Sequence, residues 1–141
     1  MAVLRYADIE AGVELPAQTF PVRRLDLIRY CGASGDFNVI HWNGRVARSV
    51  GLPDVIAHGM LTMAEAVRVV TDWCGDPGAV IEYGVRFSSM VVVPDDEAGA
   101  ALEVSGVVSE KLPDNRVAVT LSARANGSKV LTAARAVVQL G

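Results

Sequence analysis

The spacing of hydrophobic residues changes along the chain, from a helical period before residue 80 to a period of two after it. Residues 24–31 mix charged and apolar positions at helical spacing and predict a short helix that Gly32 ends. Asn43 is a suitable N-cap for a second short helix through Val50, before Gly51. Residues 20–22 are typical of the end of an opening strand, so the first half is predicted to be one strand followed by small helices.

The longest helix is predicted for residues 58–74, ended by Gly75. Apolar side chains cover nearly all of its circumference, and a helix of that kind must be surrounded by protein. The polar residues form only a narrow stripe, which consists of Thr62, Glu65, Arg68 and Asp72. The spacing of the last three predicts a row of ion pairs on the helix surface.

After residue 80, apolar and polar residues alternate and predict an antiparallel meander of four strands. The first strand begins near Val80 and is expected to continue to Val93, and later strands begin near residues 102, 117 and 130. Asn126-Gly127 predicts a two-residue hairpin turn. The fold class is therefore α+β, with a curved antiparallel sheet wrapped around one long central helix. Its unpaired edge strand favours an oligomer, most simply a dimer.

Composition narrows the class of protein. The 141 residues fit a single domain over residues 1–141, and 51% of them are hydrophobic. No run of about 18 residues is free of charge, which argues against a membrane span. A net charge of −3 without a basic tract argues against nucleic-acid binding. The N-terminus lacks the pattern of a secretion signal, so we expect a cytoplasmic protein with free thiols at Cys31 and Cys74 and no metal site.

The most informative chemistry lies between residues 31 and 41. Asp36 and His41 are five residues apart in a segment where Gly35 and Asn38 favour a tight turn. Such a turn can direct a carboxylate and an imidazole at one small volume, as proton transfer requires. The only other histidine, His58, opens a second unusual segment at the start of the long helix. Together the two segments indicate an enzyme.

Three motifs make the chain resemble a known family. They are Gly35-Asp36-Phe37-Asn38-Val39-Ile40-His41, Ala57-His58-Gly59 and Arg86-Phe87. Their pattern is similar to that of the MaoC-like, R-specific enoyl hydratases and (3R)-hydroxyacyl thioester dehydratases, which have the hot-dog fold. Within the family the chain looks most similar to the single-hot-dog β subunit of the actinobacterial and mycobacterial (3R)-hydroxyacyl-ACP dehydratase. Val39 stands where the family has proline, which predicts a less rigid loop.

The resemblance implies a hydro-lyase that converts (3R)-hydroxyacyl thioesters to trans-2-enoyl thioesters and water, in fatty-acid or polyketide metabolism. Asp36 and His41 would be the acid and the base, in either assignment, with Asp36 protonated in an apolar pocket. Without the rest of the motif, Asp36 would be interpreted as a carboxylate that caps loop amides, and His41 as a partly buried histidine with satisfied hydrogen bonds. The N–H of Gly59 would stabilise the thioester oxyanion, unless this glycine serves only close packing.

Three further residues belong to the expected site, each with a structural alternative. Asn38 is expected to shape the loop and to bind beside the catalytic pair. His58 is expected to cap or pack rather than to catalyse. Arg86 would meet a pantetheine phosphate or an acidic carrier protein, or else pair with Glu82.

The family implies no bound cofactor, because the pantetheine of coenzyme A or acyl carrier protein is the substrate handle. Expected partners are acyl carrier protein and a second hot-dog subunit, in a homodimer or heterodimer. Two alternatives remain open: a hot-dog thioesterase, whose carboxylate would lie on the central helix as Glu65 does, and a non-catalytic partner subunit. Trp42 and Trp73 are expected in the core.

Overall fold

The computed structural model describes residues 4–141, in which five antiparallel strands form one sheet. The strands are β1 (Glu14–Val22), β2 (Val80–Phe87), β3 (Ala100–Leu112), β4 (Arg116–Ala125) and β5 (Ser128–Gln139). The helices are α1 (Arg24–Ser34), α2 (Gly44–Ser49) and α3 (Gly59–Cys74), with short 3-10 turns at Tyr6–Asp8, Val39–His41 and Pro77–Ala79. The predicted α+β class, with one long helix packed on an antiparallel sheet, is confirmed.

The sheet order is β1-β3-β4-β5-β2, so only β3, β4 and β5 form a meander. The predicted four-strand meander is wrong at its first step, because β2 pairs with β5 at the far edge of the sheet. The hairpin between β4 and β5 is as predicted. Asn126 and Gly127 both have positive φ, 52° and 75°, as a primed two-residue turn requires.

The first strand after α3 ends at Phe87 and not near Val93. Val91 and Val93 are buried in a separate segment that bonds to the chain just before α3. The Ala57 N–H donates to the carbonyl of Val91 at 2.8 Å, and the Val93 N–H donates to the carbonyl of Val55 at 3.0 Å. Residues 86–90 are exposed, and burial alternates again only from Val91 to Val93, in a segment outside the strand.

Helix α1 continues through Gly32 and ends three residues later than predicted. Gly35 has a φ of 76° and donates its N–H to the carbonyl of Cys31, which is the usual left-handed end of a helix. The predicted N-cap of α2 is confirmed, since the Asn43 side chain accepts from the N–H of Val46 at 3.1 Å.

Helix α3 begins at Gly59, one residue later than predicted, and ends at Cys74 as predicted, with Gly75 in the left-handed conformation after it. Its fully buried residues are Thr62, Ala66, Val69 and Val70. Glu65 and Arg68 form the predicted ion pair at 2.7 Å, but Asp72 accepts instead from Gln18 at 3.1 Å. The helix surface therefore carries one ion pair at this place and not a row.

Two expectations about single residues have different outcomes. Cys31 and Cys74 are free, as predicted. Trp73 packs against the core, but Trp42 is 44% exposed, and its indole N–H donates to the carbonyl of Phe37 at 3.0 Å. Trp42 therefore braces the loop that carries the predicted acid and base. Among residues 4–141, no helix is both long and apolar enough to cross a membrane.

Candidate active site

His41 lies at the end of the short turn Val39–His41, with only 7% of its surface exposed. Its Nδ1 is 2.7 Å from the carbonyl oxygen of Ile56. A carbonyl can only accept, so Nδ1 carries the proton and the neutral ring keeps its lone pair on Nε2. His41 is therefore held as a base with one nitrogen free.

Asp36 follows the left-handed Gly35 and is exposed. Its Oδ1 accepts from the Asn38 N–H at 3.1 Å, and the Asn38 side chain in turn accepts from the Ile40 N–H at 3.3 Å. Two successive side-chain-to-backbone turns therefore shape the loop. Asn38 has the loop-shaping role expected of it, and Asp36 caps a loop amide as well. The burial predicted for the Asp36 carboxyl is not found in this chain, because the loop lies at the surface.

His58 is 2% exposed and stacks on His41, with 3.8 Å between the ring centroids and 23° between the ring planes. Its Nε2 lies 3.1 Å from the backbone carbonyl of Asp36 and 3.6 Å from the sulfur of Cys31. The side chain makes no capping hydrogen bond to α3, so of the two expected roles it has the packing one. Burial lowers the pKa of His58, and the neighbouring His41 adds to that effect, although the Asp36 carbonyl and carboxylate oppose it.

Cys31 lies behind this histidine pair and is 1% exposed. Burial and the nearby Asp36 carboxylate raise the pKa of its thiol. Tyr30, one residue earlier on α1, also contacts His58, with ring centroids 4.6 Å apart. The last turn of α1 therefore forms the rear wall of the site.

Asp36, His41 and His58 each offer one nitrogen or oxygen atom, and these atoms lie within 4.8 Å of one another. Such a cluster also has the composition of a metal site. The two rings are nearly parallel, however, and imidazole lone pairs lie in the ring plane, so they do not converge on one point. The arrangement suits proton transfer better than metal binding.

A cavity of about 270 Å³ opens beside His41. Its walls are mostly apolar and come from α3, from the end of β2 and from β5. The lining residues are His41, Ile56, Ala57, Gly59, Thr62, Phe87, Ser88, Ser89, Met90, Val91 and Val130. The cavity therefore joins the imidazole to the start of α3 and to an apolar interior, an arrangement that fits an acyl chain with a polar head.

Gly59 is the first residue of α3, so its N–H has no acceptor within the helix. A Cβ at this position would lie 3.1–3.3 Å from three carbons of the Phe87 ring. The space left by the missing side chain is therefore occupied by Phe87. The packing alternative for Gly59 holds, and it is compatible with an N–H that faces a substrate.

Arg86 is exposed and is not among the residues that line the His41 cavity. No carboxylate of residues 4–141 lies within 4.0 Å of its guanidinium, so the alternative pair with Glu82 is not formed. The structure brings Asp36, His41, His58 and Gly59 together and leaves Arg86 apart from them.

Two contributors were not identified from the sequence. The Ile56 carbonyl orients His41, and backbone groups leave no signal in a sequence. Thr62 is buried and lines the cavity, with its hydroxyl 3.5 Å from the His58 carbonyl. Its position one helical turn after Gly59 was the available signal, but the helical pattern placed it on a polar stripe.

A single antiparallel sheet packed on one long helix, with an Asp/His pair at the helix start, defines a hot-dog domain of the hydratase type. Residues 9–126 match the model of the MaoC-like domain family, and the chain belongs to that family.

The chain is 35% identical over 79 residues to 3-hydroxyacyl-thioester dehydratase X of Mycobacterium tuberculosis, a match covering 56% of this chain and 27% of that protein. A solved MaoC-like dehydratase is 38% identical with a TM-score of 0.94, over 99% of this chain and 43% of the other. The R-hydratase PhaJ1 of Pseudomonas aeruginosa is 28% identical with a TM-score of 0.83, over 96% and 84% of the two chains. This chain thus spans less than half the length of the first two relatives.

Proposed function

We propose that this domain catalyses the reversible dehydration of (3R)-hydroxyacyl thioesters to trans-2-enoyl thioesters and water. The observation that carries the proposal is that one oxygen of Asp36 lies within 4.8 Å of a nitrogen of His41. His41 in turn lines an apolar cavity that also includes Gly59, the first residue of α3, whereas Asp36 lies outside the lining of that cavity. A water or hydroxyl oxygen about 2.8 Å from each of two groups can bridge a gap of this size. The family membership supports the same reaction class.

In the dehydration direction, the lone pair on His41 Nε2 takes a proton from the α-carbon of the substrate. The electrons of that C–H bond form the double bond, and the β-hydroxyl leaves as water with the proton of Asp36. The hydrogen bond from Nδ1 to Ile56 supports His41 as the base, because it leaves Nε2 unprotonated. The exposed Asp36 gains its apolar surroundings when the acyl chain fills the cavity mouth and removes water from the carboxyl.

Negative charge develops on the thioester oxygen as the α-proton leaves. The N–H of Gly59 has no intrahelical acceptor and lies at the positive end of the α3 dipole, so it is the donor for that oxygen.

The pantetheine arm of coenzyme A or acyl carrier protein serves as the handle of the substrate, and the reaction requires neither a metal nor a bound cofactor. Asn38 supports the loop beside the reacting atoms. Arg86 lies apart from the cavity, where it would meet the phosphate of the arm or an acidic carrier protein.

A second hot-dog unit is the expected partner, either a copy of this chain or a related subunit. Apolar side chains are exposed around the open side of the site: Phe37, Val39, Trp42, Met60, Phe87 and Met90. A partner on that side would cover Asp36 as well. Relatives more than twice as long as this chain are consistent with a paired arrangement.

The thioesterase alternative has less support. Its expected carboxylate, Glu65, is bound by Arg68 at 2.7 Å and lines a different groove, against Phe20 and Arg23. No carboxylate on α3 is among the residues that line the His41 cavity.

Loss of enoyl absorbance from crotonyl-CoA and from a long-chain enoyl-CoA tests the reaction with the purified protein. Asp36→Asn and His41→Ala should each lower kcat by about 10²- to 10⁴-fold, since each removes one proton-transfer group. Asp95→Asn, a change at another exposed loop carboxylate, is the matched control and should keep normal turnover.

A thiol-detecting assay on saturated acyl-CoA separates the classes. Thiol release without hydration would mean a thioesterase. Near-normal hydration by Asp36→Asn would contradict the proposal.

A further inference from the structure

His58 is a buried histidine that contacts both members of the proposed acid–base pair. Its Nε2 lies 3.1 Å from the Asp36 carbonyl oxygen, and its ring face lies 3.8 Å from the His41 ring. Asp36 and His41 have no direct hydrogen bond to each other among the contacts of residues 4–141. His58 therefore touches both residues of the pair, Asp36 through its backbone carbonyl and His41 through its ring.

The hydrogen-bond partners determine which nitrogen of His58 carries the proton. The Asp36 carbonyl can only accept, so Nε2 donates to it. Nδ1 then holds a lone pair, and this buried atom has no hydrogen-bond partner among residues 4–141. A buried polar atom without a partner is costly, and an apolar ring would avoid that cost. Packing alone does not account for a histidine here.

We propose that His58 is a positioning residue. As a neutral imidazole, it holds Asp36 and His41 in the relative orientation that the proposed proton transfers need. Its N–H holds the backbone of the exposed Asp36 loop against the start of α3. The face of the His58 ring fixes the orientation of the stacked His41 imidazole beside the cavity, so that Nε2 of His41 is directed at the substrate. The inference rests on the proposed dehydration and names the group that aligns its two proton carriers.

The surroundings favour the neutral form of His58. The titratable groups that face it are Tyr30 and Cys31 from α1, Asp36 from the loop and His41 from the turn before α2. Only 2% of the surface of His58 is exposed to solvent. A charge on His58 would also oppose the imidazolium that forms on His41 during the reaction. A neutral ring leaves that step unopposed.

Two variants separate the two contacts. His58→Phe keeps a ring against His41 and loses the bond to Asp36, whereas His58→Gln keeps a donor and loses the stack. Each should lower kcat by about 10- to 100-fold, because a small misplacement of a reacting group is costly. KM should stay within about threefold, because neither contact binds substrate. Tyr83→Phe, which removes a 2.8 Å hydrogen bond to α3 away from the cavity, is the matched control.

A double-mutant cycle distinguishes positioning from a general structural role. In an Asp36→Asn background, His58→Phe should cause little further loss of kcat, since no acid remains to be aligned. Equal losses in both backgrounds would overturn the inference, and so would normal kcat in both single variants. In either case Asp36→Asn and His41→Ala still test the reaction itself, so the two failures are distinguishable.

Nitrogen NMR of the imidazole rings tests the arrangement without any turnover. His58 should take up its second proton only below pH 6.5, because burial lowers its pKa, and in its neutral form it should carry its proton on Nε2, whereas neutral His41 should carry its proton on Nδ1. In the His58→Phe variant, exchange of the Asp36–Asn38 amides should become faster. A His58 that is charged at pH 7, or that carries its proton on Nδ1, would overturn the inference even in an inactive protein.

Discussion

At the scale of single residues, His58 links folding to pH. Burial lowers the pKa of His58 in the folded chain below its ordinary value of 6.5. Just below pH 6.5, His58 therefore binds a proton in the unfolded chain but not in the folded chain. The stability associated with this residue is fully present above pH 6.5 and is lost as the pH falls from there to the folded pKa.

As the pH falls below 6.5, we expect the protonation of His58 to lower the free energy of unfolding by at most about 1.4 kcal/mol per pH unit. Urea unfolding at a series of pH values measures this slope. The His58→Phe variant should have a shallower slope over the same range, because it has nothing to protonate there. Parallel curves for the two proteins would contradict the prediction.

The Phe87 ring occupies the space that a side chain at position 59 would fill, so the two residues are matched in size. In Gly59→Ala the new methyl carbon meets the Phe87 ring at 3.1–3.3 Å, and overpacking of this kind costs about 1–3 kcal/mol. In a Phe87→Ala background the same change should cost almost nothing. Thermal unfolding of the four proteins gives the coupling, and equal losses in both backgrounds would show that Phe87 is not the obstacle.

At the scale of elements, the loop before His41 has a backbone conformation that accepts proline at position 39. Val39 is the first residue of its 3-10 turn, a position at which a missing N–H is harmless. Asn38 has φ −54° and ψ 125°, which is the conformation favoured before proline.

Val39→Pro should therefore raise stability by about 0.4–1 kcal/mol, through a less flexible unfolded chain. Thermal or urea unfolding measures the gain. Ile40→Pro is the matched control and should destabilise, because it removes the N–H that donates to the Asn38 side chain. Loss of stability in Val39→Pro would mean that the loop is held differently from this description.

At the scale of the whole molecule, strands β1 and β2 are the two edges of the sheet. Ile81 on β2 is 49% exposed, and an apolar side chain at an open edge favours pairing with another chain. We expect the protein to form dimers, and Ile81→Arg should shift the mass measured by light scattering towards the monomer. Thr120→Arg, on the exposed face of the inner strand β4, should leave the mass unchanged. A wild-type monomer at micromolar concentration would contradict this prediction.

Local patterns were sufficient for much of the molecule. The bounds of α3, the caps at Asn43 and Gly75 and the turn at Asn126-Gly127 follow from interactions within a few residues of the chain. The motif that contains Asp36 and His41 also lies within one loop, so its chemistry could be identified before any fold was known.

Contacts between distant segments decided the remainder. β2 lies beside β5 and not β3, Trp42 lies at the surface, and Asp36 is exposed. The stack of His58 on His41 joins residues 17 positions apart, and the Ile56 carbonyl selects the tautomer of His41. Periodicity and motifs report which residues prefer burial or a turn. Which of these residues come into contact depends on packing across the whole sheet. The packing energy arises from contacts between segments, so the sequence of a single segment does not reveal it.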